Sequence, residues 1–226
     1  MTIRSAQICW ISDMKKFDCA IFDLDGTVLD STALWNEIDR DFFAERNLVL
    51  PVDYAKKISP MGFYGAAVYT VKTFELKESV EEVLDVWHKM AVERFTHDVG
   101  LKPFAKEYLE YLKEHNVRLC IATASNRELF EPALERNGVL GLFDSITTIS
   151  EVKRGKGFPD IYLKAAQTAG RDASECVVFE DILEGIKGAK LGGFYTVCVY
   201  DKQSAKDEEK IREISDRYIN DYSELM

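Results

Sequence analysis

The chain has 226 residues, of which 46% are hydrophobic, so it can bury the core of one large domain or of a core domain with an insertion. Its formal net charge of −10 argues against nucleic acid or an anionic membrane surface as a partner. No apolar run approaches the roughly 20 residues of a membrane span, and the scattered cysteines form no Cys-x-x-Cys pair. We expect a cytoplasmic protein with reduced thiols, as a monomer or weak homo-oligomer.

Residues 1–15 precede every predicted strand. Their apolar part, Ile8 to Ile11, is too short for the core of a signal peptide, and no small-residue cleavage site follows it. We therefore expect an N-terminal extension over residues 1–15, to which the sequence assigns no function.

The first predicted strand covers residues 17–23 and ends in two carboxylates that are one residue apart. Asp23 and Asp25 are followed by Gly26 and Thr27. Like charges held close together repel, and burial raises the cost, so a divalent cation such as Mg²⁺ would resolve the conflict. One carboxylate can then attack an electrophile while the other moves protons. An ordinary Asp-Gly turn is the alternative, but this order of residues after an apolar strand favours a functional site.

Residues 31–100 form a long excursion that no single crossover needs. One apolar helical face contains Leu34, Trp35, Ile38, Phe42 and Phe43. Ser79 and Glu82 have the spacing of a capping box before a further helix. These helices form either an inserted domain or an elaborated part of a single domain.

The remainder of the chain alternates strands with helices. Apolar runs predict strands near residues 117–123, 143–149, 176–180 and 195–200. Helical patterns lie between them, over Pro103–His115, Arg127–Asn137, Pro159–Ala169 and Leu183–Leu191. The alternation predicts an α/β fold with a doubly wound parallel sheet and right-handed crossovers.

Polar residues lie at the ends of two of these strands, as they do at the end of the first strand. Thr123 ends the second strand, and Glu180 and Asp181 end a later one. Ligands of such sheets bind beyond the carboxyl ends of the strands. We therefore expect these residues to lie near Asp23.

These residues, together with Lys156 in Gly155-Lys156-Gly157-Phe158-Pro159, resemble in type and order the four motifs of the haloacid dehalogenase-like superfamily, most of whose members are phosphatases. The resemblance extends from about Lys16 to the end of the chain. It implies a Rossmann-like core of residues 16–30 and 101–226. It also implies that residues 31–100 are a helical cap domain, which closes over the active site and excludes water.

The resemblance also implies the catalytic roles. Asp23 would attack phosphorus and form an aspartyl-phosphate. Asp25 would protonate the leaving alcohol and then deprotonate the water that hydrolyses the intermediate. Lys156 would supply a fixed positive charge to the phosphoryl group. In the same loop, Lys153 and Arg154 are the alternatives to Lys156.

Phosphate and metal ligands follow from the same resemblance. The phosphoryl group would be bound by the Thr123 hydroxyl and by Lys156, together with backbone N–H groups of three residues, namely Leu24, Asp25 and Ala124. Mg²⁺ would be held by the carboxylates of Asp23 and Asp181 and by the backbone carbonyl of Asp25. Glu180 would ligate the metal directly or act through its hydrogen bonds. As alternatives, Thr123 can be a helix cap, and Glu180 can be a buried acid satisfied by hydrogen bonds.

Asp25 points to phosphate esters, because the dehalogenases of the superfamily lack an acid there. The closest resemblance is to the β-phosphoglucomutase-like and phosphoglycolate phosphatase-like branch, which has a helical cap. Gly62 marks the expected substrate loop of the cap, and no Arg or Lys follows it closely. This disfavours a mutase, which must hold a second phosphate. Nearby aromatic residues suggest a partly apolar lining: Phe63, Tyr64 and Tyr69.

The sequence therefore predicts a Mg²⁺-dependent phosphatase for a small phosphorylated metabolite. The alternatives are a β-phosphoglucomutase-like phosphosugar mutase and a nucleoside monophosphate phosphatase, whose base could stack on the aromatic residues. A non-catalytic binding protein on the same scaffold is disfavoured, because none of the expected catalytic groups is missing.

Overall fold

Six strands form one parallel sheet in the computed structural model, which describes residues 16–58 and 61–226. The strands are β1 (Cys19–Phe22), β2 (Arg118–Thr123), β3 (Ser145–Thr148), β4 (Cys176–Glu180), β5 (Tyr195–Val199) and β6 (Arg217–Ile219). Their order is β3-β2-β1-β4-β5-β6. The direction of winding reverses between β1 and β4, which places a crevice at their carboxyl ends. The predicted doubly wound α/β fold is confirmed.

The predicted N-terminal extension, residues 1–15, lies outside the described residues.

β6 was not among the predicted strands. β6 has three residues, two of them only half-buried, so it lacks the apolar run that marks the other strands. It is recognisable only by its pairing with β5, in which Val197 lies opposite Arg217. The predicted strand near 143–149 is shorter in the structure, where β3 covers Ser145–Thr148.

In the part of the chain that the structure describes, five helices cover the sheet. They are α5 (Ala105–Glu114), α6 (Arg127–Arg136), α7 (Asp160–Thr168), α8 (Leu183–Leu191) and α9 (Glu208–Ile214). All four predicted helices of this part of the chain are present: Leu183–Leu191 has the predicted ends, and the ends of the other three differ by at most two residues. The first of them begins at Ala105 and not at Pro103, because Phe104 has a left-handed backbone conformation with φ of 61°.

The two faces of the sheet are buried against different side chains. On one face Phe22 stacks on Phe179 with ring centroids 4.4 Å apart. On the other face the small side chains of Cys19, Cys120 and Cys176 leave room for α7. These thiols and Cys198 are buried and form no disulfide within the described residues, whereas Cys9 lies outside them.

Residues 31–100 contain the remaining helices and are called the helical insertion below. The helices are α1 (Leu34–Glu45), α2 (Tyr54–Ile58), α3 (Gly62–Thr73) and α4 (Val80–His97). The predicted capping box is confirmed: the Ser79 side chain accepts from the Glu82 N–H at 3.2 Å, and Glu82 accepts from the Ser79 N–H at 2.7 Å. In residues 16–58 and 61–226, no helix has the length and apolar character needed to cross a bilayer.

The chain enters and leaves the helical insertion through two adjacent segments. The N–H of Asp30 donates to the carbonyl of Gly100 at 3.0 Å, and the N–H of Lys102 donates to the carbonyl of Val28 at 2.9 Å. The first segment continues from the loop that follows β1, and the second leads into α5. The insertion therefore begins and ends beside the residues that follow the first strand.

Candidate active site

Three carboxylates meet where β1 and β4 end. Asp23 directly follows β1, Glu180 is the last residue of β4, and Asp181 follows it. Because Phe22 lies opposite Phe179 in the sheet, the two strands end level with each other. One oxygen from each of the three carboxylates lies within 4.8 Å of the others, and all three residues are buried. The structure thus brings together acids that are about 157 positions apart in the chain.

Lys156 extends into this cluster from the loop before α7. Its Nζ is ion-paired with Asp23 and lies 2.6 Å from Glu180 Oε1, and its side chain is only 8% exposed. Arg154 instead pairs with Asp160 at 2.6 Å on the surface, and Lys153 is exposed. Of the three basic residues in this loop, Lys156 alone joins the carboxylates.

Burial dominates the electrostatics of the cluster. It raises the pKa of Asp23 from 3.8 to about 7, because the opposing attraction of Lys156 is too small to offset desolvation. Desolvation, together with the charges of Glu180 and Asp23, also raises the pKa of Asp181 well above its ordinary value. Burial alone would lower the pKa of Lys156, but Asp23 and Glu180 raise it above its ordinary value. One lysine among three carboxylates leaves an excess of buried negative charge.

This donor set fits a hard divalent cation. Carboxylate oxygens are the ligands that Mg²⁺ prefers, and a divalent charge would offset the excess negative charge. A glycine makes room beside the cluster: a Cβ at Gly26, where φ is 80°, would lie 2.4 Å from Asp181 Oδ2. Among the described residues, the Asp181 oxygens accept only long hydrogen bonds, 3.5 Å from the Thr27 hydroxyl and 3.4 Å from the Ser204 hydroxyl. Asp181 is therefore available to a ligand.

Glu180 has less capacity left for a metal than Asp181. Its Oε1 accepts from Lys156 at 2.6 Å and from the Tyr162 hydroxyl at 2.8 Å, while its Oε2 accepts from the Asp181 N–H at 3.2 Å. A Cβ at Gly185 would lie 2.3 to 2.5 Å from this carboxyl group. The carboxylate is thus enclosed, and its contacts fix the position of Lys156. The sequence analysis did not identify Tyr162 as a site residue, because the position of a tyrosine in a helix does not show which group its hydroxyl contacts.

Asp25 lies at the edge of the cluster and is hydrogen-bonded to the connection that enters the helical insertion. Ser31 donates to Asp25 Oδ1 at 2.5 Å. Burial raises the pKa of Asp25, and the Ser31 hydrogen bond opposes this effect. Ser31 was not predicted as a site residue.

Thr123 and the loop backbones form a set of hydrogen-bond donors beside Asp23. The Thr123 hydroxyl oxygen accepts from the Ser125 N–H at 3.0 Å, so its proton can be donated to another group. Thr123 does not cap the following helix, whose N-cap is Asn126. Within the described parts of the chain, the N–H groups of Leu24, Asp25 and Ala124 make no hydrogen bond. Three backbone donors and a hydroxyl are thus free to bind an anion.

Among the described residues, Asp25 lines three adjoining cavities, and the two larger ones contain most of the predicted site residues. The first, of about 960 Å³, is lined by three predicted catalytic residues, Asp23, Asp25 and Lys156, and by the predicted metal ligand Asp181. The second, of about 840 Å³, lies against the helical insertion and is lined by Gly62 and Phe63 as well as Asp25. Gly62, predicted as a binding residue, therefore belongs to this second cavity. Of the other predicted lining residues, Tyr64 is 61% exposed, and Tyr69 packs beside Tyr54.

A family model described as haloacid dehalogenase-like hydrolase matches residues 17–193. Among curated relatives, the phosphorylated carbohydrates phosphatase of Thermotoga maritima is 28% identical over 78% of this chain and 82% of its own length. Hexitol phosphatase B of Escherichia coli is 24% identical over 95% of this chain and 97% of its own length.

Solved structures of the same architecture were also found. CbbY of Rhodobacter sphaeroides in complex with xylulose-1,5-bisphosphate superposes with a TM-score of 0.75 at 19% identity, over 92% of this chain and 96% of that one. A β-phosphoglucomutase of Clostridium difficile has a TM-score of 0.69 at 17% identity, over 93% of each chain. At these identities the structural similarity establishes the fold and not the substrate.

Proposed function

Because the chain belongs to the haloacid dehalogenase-like hydrolase family, we propose that it is a Mg²⁺-dependent phosphatase that hydrolyses a small phosphomonoester through an aspartyl-phosphate on Asp23. The observation that carries this proposal is the convergence of Asp23, Lys156 and Asp181 beside Asp25. Two relatives are named as phosphatases, which supports it. The helical insertion would be the cap domain.

Mg²⁺ would be held by the carboxylates of Asp23 and Asp181 and by the backbone carbonyl of Asp25. A bound Mg²⁺ would neutralise the carboxylates and polarise the phosphoryl oxygens. Glu180 would not bind the ion, since Lys156 and Tyr162 already occupy its Oε1. It would instead hold the lysine in place.

The residues divide the chemistry between them. Asp23 attacks phosphorus as a carboxylate, and the alcohol leaves with a proton from Asp25. Burial favours the protonated form of Asp25 before the attack, since it raises the pKa of that carboxyl. Asp25, then ionised, accepts a proton from the water that hydrolyses the aspartyl-phosphate. Lys156, the Thr123 hydroxyl and the free backbone N–H groups stabilise charge on the phosphoryl oxygens.

One observation favours a phosphosugar mutase as a second candidate. Lys56 lines the second cavity, although no basic residue follows Gly62 closely in the sequence. Such a lysine could hold a second phosphate, which a mutase requires. A mutase would need a bisphosphate primer for turnover, whereas a phosphatase would release inorganic phosphate without one.

The proposed function is tested by phosphate release from phosphorylated sugars, polyols, glycolate and nucleotides. We expect release with Mg²⁺ and loss of at least about 10²-fold in rate with excess chelator, because the carboxylates would then repel the phosphate. Readdition of Mg²⁺ should restore the rate. Release that persists undiminished in chelator would contradict the metal requirement, and release only with a bisphosphate primer would favour the mutase.

Mg²⁺ should also stabilise the fold, and more so at higher pH. Since the pKa of Asp23 rises from 3.8 to about 7 on folding, the folded chain binds more protons between about pH 4 and 7, and the contribution of Asp23 to stability falls as pH rises through this window. Mg²⁺ competes with these protons. At saturation we expect it to raise Tm by about 5 °C or more at pH 8, and by less at pH 5.

Thermal unfolding with Mg²⁺ or with chelator measures this difference without any turnover. Asp181→Asn should remove most of the Mg²⁺-dependent shift at pH 8, whereas Asp85→Asn, an exposed change on α4, should leave it intact. Equal shifts at both pH values, or a full shift in Asp181→Asn, would show that the ion binds elsewhere.

A further inference from the structure

The second cavity contains polar side chains that the proposed phosphate chemistry does not use. Asn36 and Asp39 lie one turn apart on α1 and line it together with two lysines, Lys56 and Lys206. The cavity reaches Asp25, which would protonate the leaving oxygen. The group bonded to that oxygen would therefore occupy this cavity and the smaller one of about 340 Å³ beside it, which Asp25, Trp35 and Phe63 also line. The lining of the larger cavity would contact the leaving group of the substrate.

Asp39 is a half-buried acid of this cavity that the proposed phosphate chemistry does not use. Within residues 16–58 and 61–226, no group donates a hydrogen bond to it and no cation pairs with it. Burial raises its pKa to about 6, with nothing to offset the desolvation. A carboxylate that loses water without gaining a donor is costly. A ligand that brings a donor would remove this cost.

Aromatic side chains give the cavity apolar faces. The rings of Trp35 and Phe63 are 6.0 Å apart in a T-shaped arrangement, and their side chains are 39% and 47% exposed. Trp87 lines the same cavity. The Asp39 carboxylate, which has no donor, matches a hydroxyl group, which can donate to it.

The charges around the cavity restrict the leaving group further. Lys56 and Lys206 are exposed and form no ion pair with any described residue, so a cationic leaving group would be repelled by them. The lysines would attract a second anionic group, but Asp39 would repel it and offset part of that attraction. A neutral group with several hydroxyls avoids both penalties and satisfies the carboxylate.

We infer that Asp39 determines substrate specificity by accepting hydrogen bonds from hydroxyl groups of a neutral, polyhydroxylated leaving group, a sugar or polyol. Trp35 and Phe63 pack against its C–H faces. This inference rests on the proposed function, because it places the phosphate of the same substrate at Asp23.

Steady-state kinetics of Asp39→Leu test the inference. We expect KM for sorbitol 6-phosphate to rise about 10- to 100-fold, since a hydrogen bond to a charged group is lost. The kcat should stay within about threefold, and the kinetics with p-nitrophenyl phosphate should not change, because the aryl group offers Asp39 no donor. Asp39→Asn should raise KM less, because its amide oxygen still accepts. Asp85→Leu, an exposed change on α4, is the matched control.

Substrate comparison on the wild-type protein gives the second arm. Sorbitol 6-phosphate should exceed n-hexyl phosphate in kcat/KM by about tenfold or more, and the preference should disappear in Asp39→Leu. A preference for glucosamine 6-phosphate or fructose 1,6-bisphosphate over sorbitol 6-phosphate would overturn the neutral leaving group. Equal losses for sorbitol 6-phosphate and p-nitrophenyl phosphate in Asp39→Leu would overturn the specificity role.

A binding measurement separates failure of this inference from failure of the proposed function. Calorimetry with Asp23→Asn, which should not turn over, would measure Kd for sorbitol 6-phosphate with and without Asp39→Leu. A Kd about tenfold weaker in the double variant supports Asp39 even if the wild-type protein releases no phosphate. An unchanged Kd overturns the inference even if the wild-type protein is an active phosphatase.

Discussion

Asp23→Asn should abolish phosphate release and lower kcat by about 10⁴-fold or more, the size of loss seen when an enzyme loses its nucleophile. An amide oxygen cannot form the aspartyl-phosphate, and Lys156 loses one of its two carboxylate partners. The shape of the side chain is retained, and one of three crowded carboxylates is removed, so the fold should remain. Circular dichroism and thermal unfolding would check the fold beside the phosphate assay.

Asp25→Asn provides the contrast that separates nucleophile from acid and base. With p-nitrophenyl phosphate, whose leaving group needs no proton, Asp25→Asn should release about one equivalent of nitrophenolate in a burst and then slow, because hydrolysis of the aspartyl-phosphate lacks its base. Asp23→Asn should give no burst. Near-normal turnover in Asp23→Asn would refute the covalent mechanism, and steady turnover without a burst in Asp25→Asn would refute the role of Asp25.

The carboxylate cluster was predictable because of where its residues lie in the chain. Asp23 follows an apolar run directly, Glu180 and Asp181 follow another, and parallel strands bring their carboxyl ends to one edge of the sheet. Lys156 was identified from its motif, because hydrophobic periodicity marks helices and strands but does not distinguish a functional lysine in a polar loop. The structure places all four together, although the role of each stays a proposal.

Other contacts were beyond the sequence because they depend on which surfaces pack together. Tyr162 reads as a core residue of α7, and only the packing of that helix brings its hydroxyl to Glu180. The sequence pattern places Asp39 on the polar face of an amphipathic helix, yet in the structure it lines a cavity against the core. Its neighbours in the cavity include Lys206, which is 167 positions further along the chain. No local pattern contains that information.

Gly188→Ala should cost about 2–4 kcal/mol of stability and lower kcat about 10²-fold. α8 packs against the loop of Lys156 so closely that a Cβ at Gly188 would lie 1.9 Å from the Lys156 carbonyl oxygen and 2.8 Å from that of Phe158. Both atoms belong to the backbone, so no side-chain rotation can relieve the clash. The loop must move away from the helix, and Nζ of Lys156 would move away from Asp23 with it.

Gly155→Ala is the matched control, since it makes the same change in the same loop. A Cβ at Gly155 would meet no atom within 4 Å, and its φ lies outside the left-handed region, so stability and kcat should stay near those of the wild type. Thermal unfolding and phosphate release on both variants give four results. If Gly188→Ala is unstable but fully active, the position of Lys156 is not what limits the chemistry. If Gly188→Ala behaves like Gly155→Ala, the loop does not lie against α8. The contacts of Lys156 with Asp23 and Glu180, which depend on that position of the loop, would then be in error.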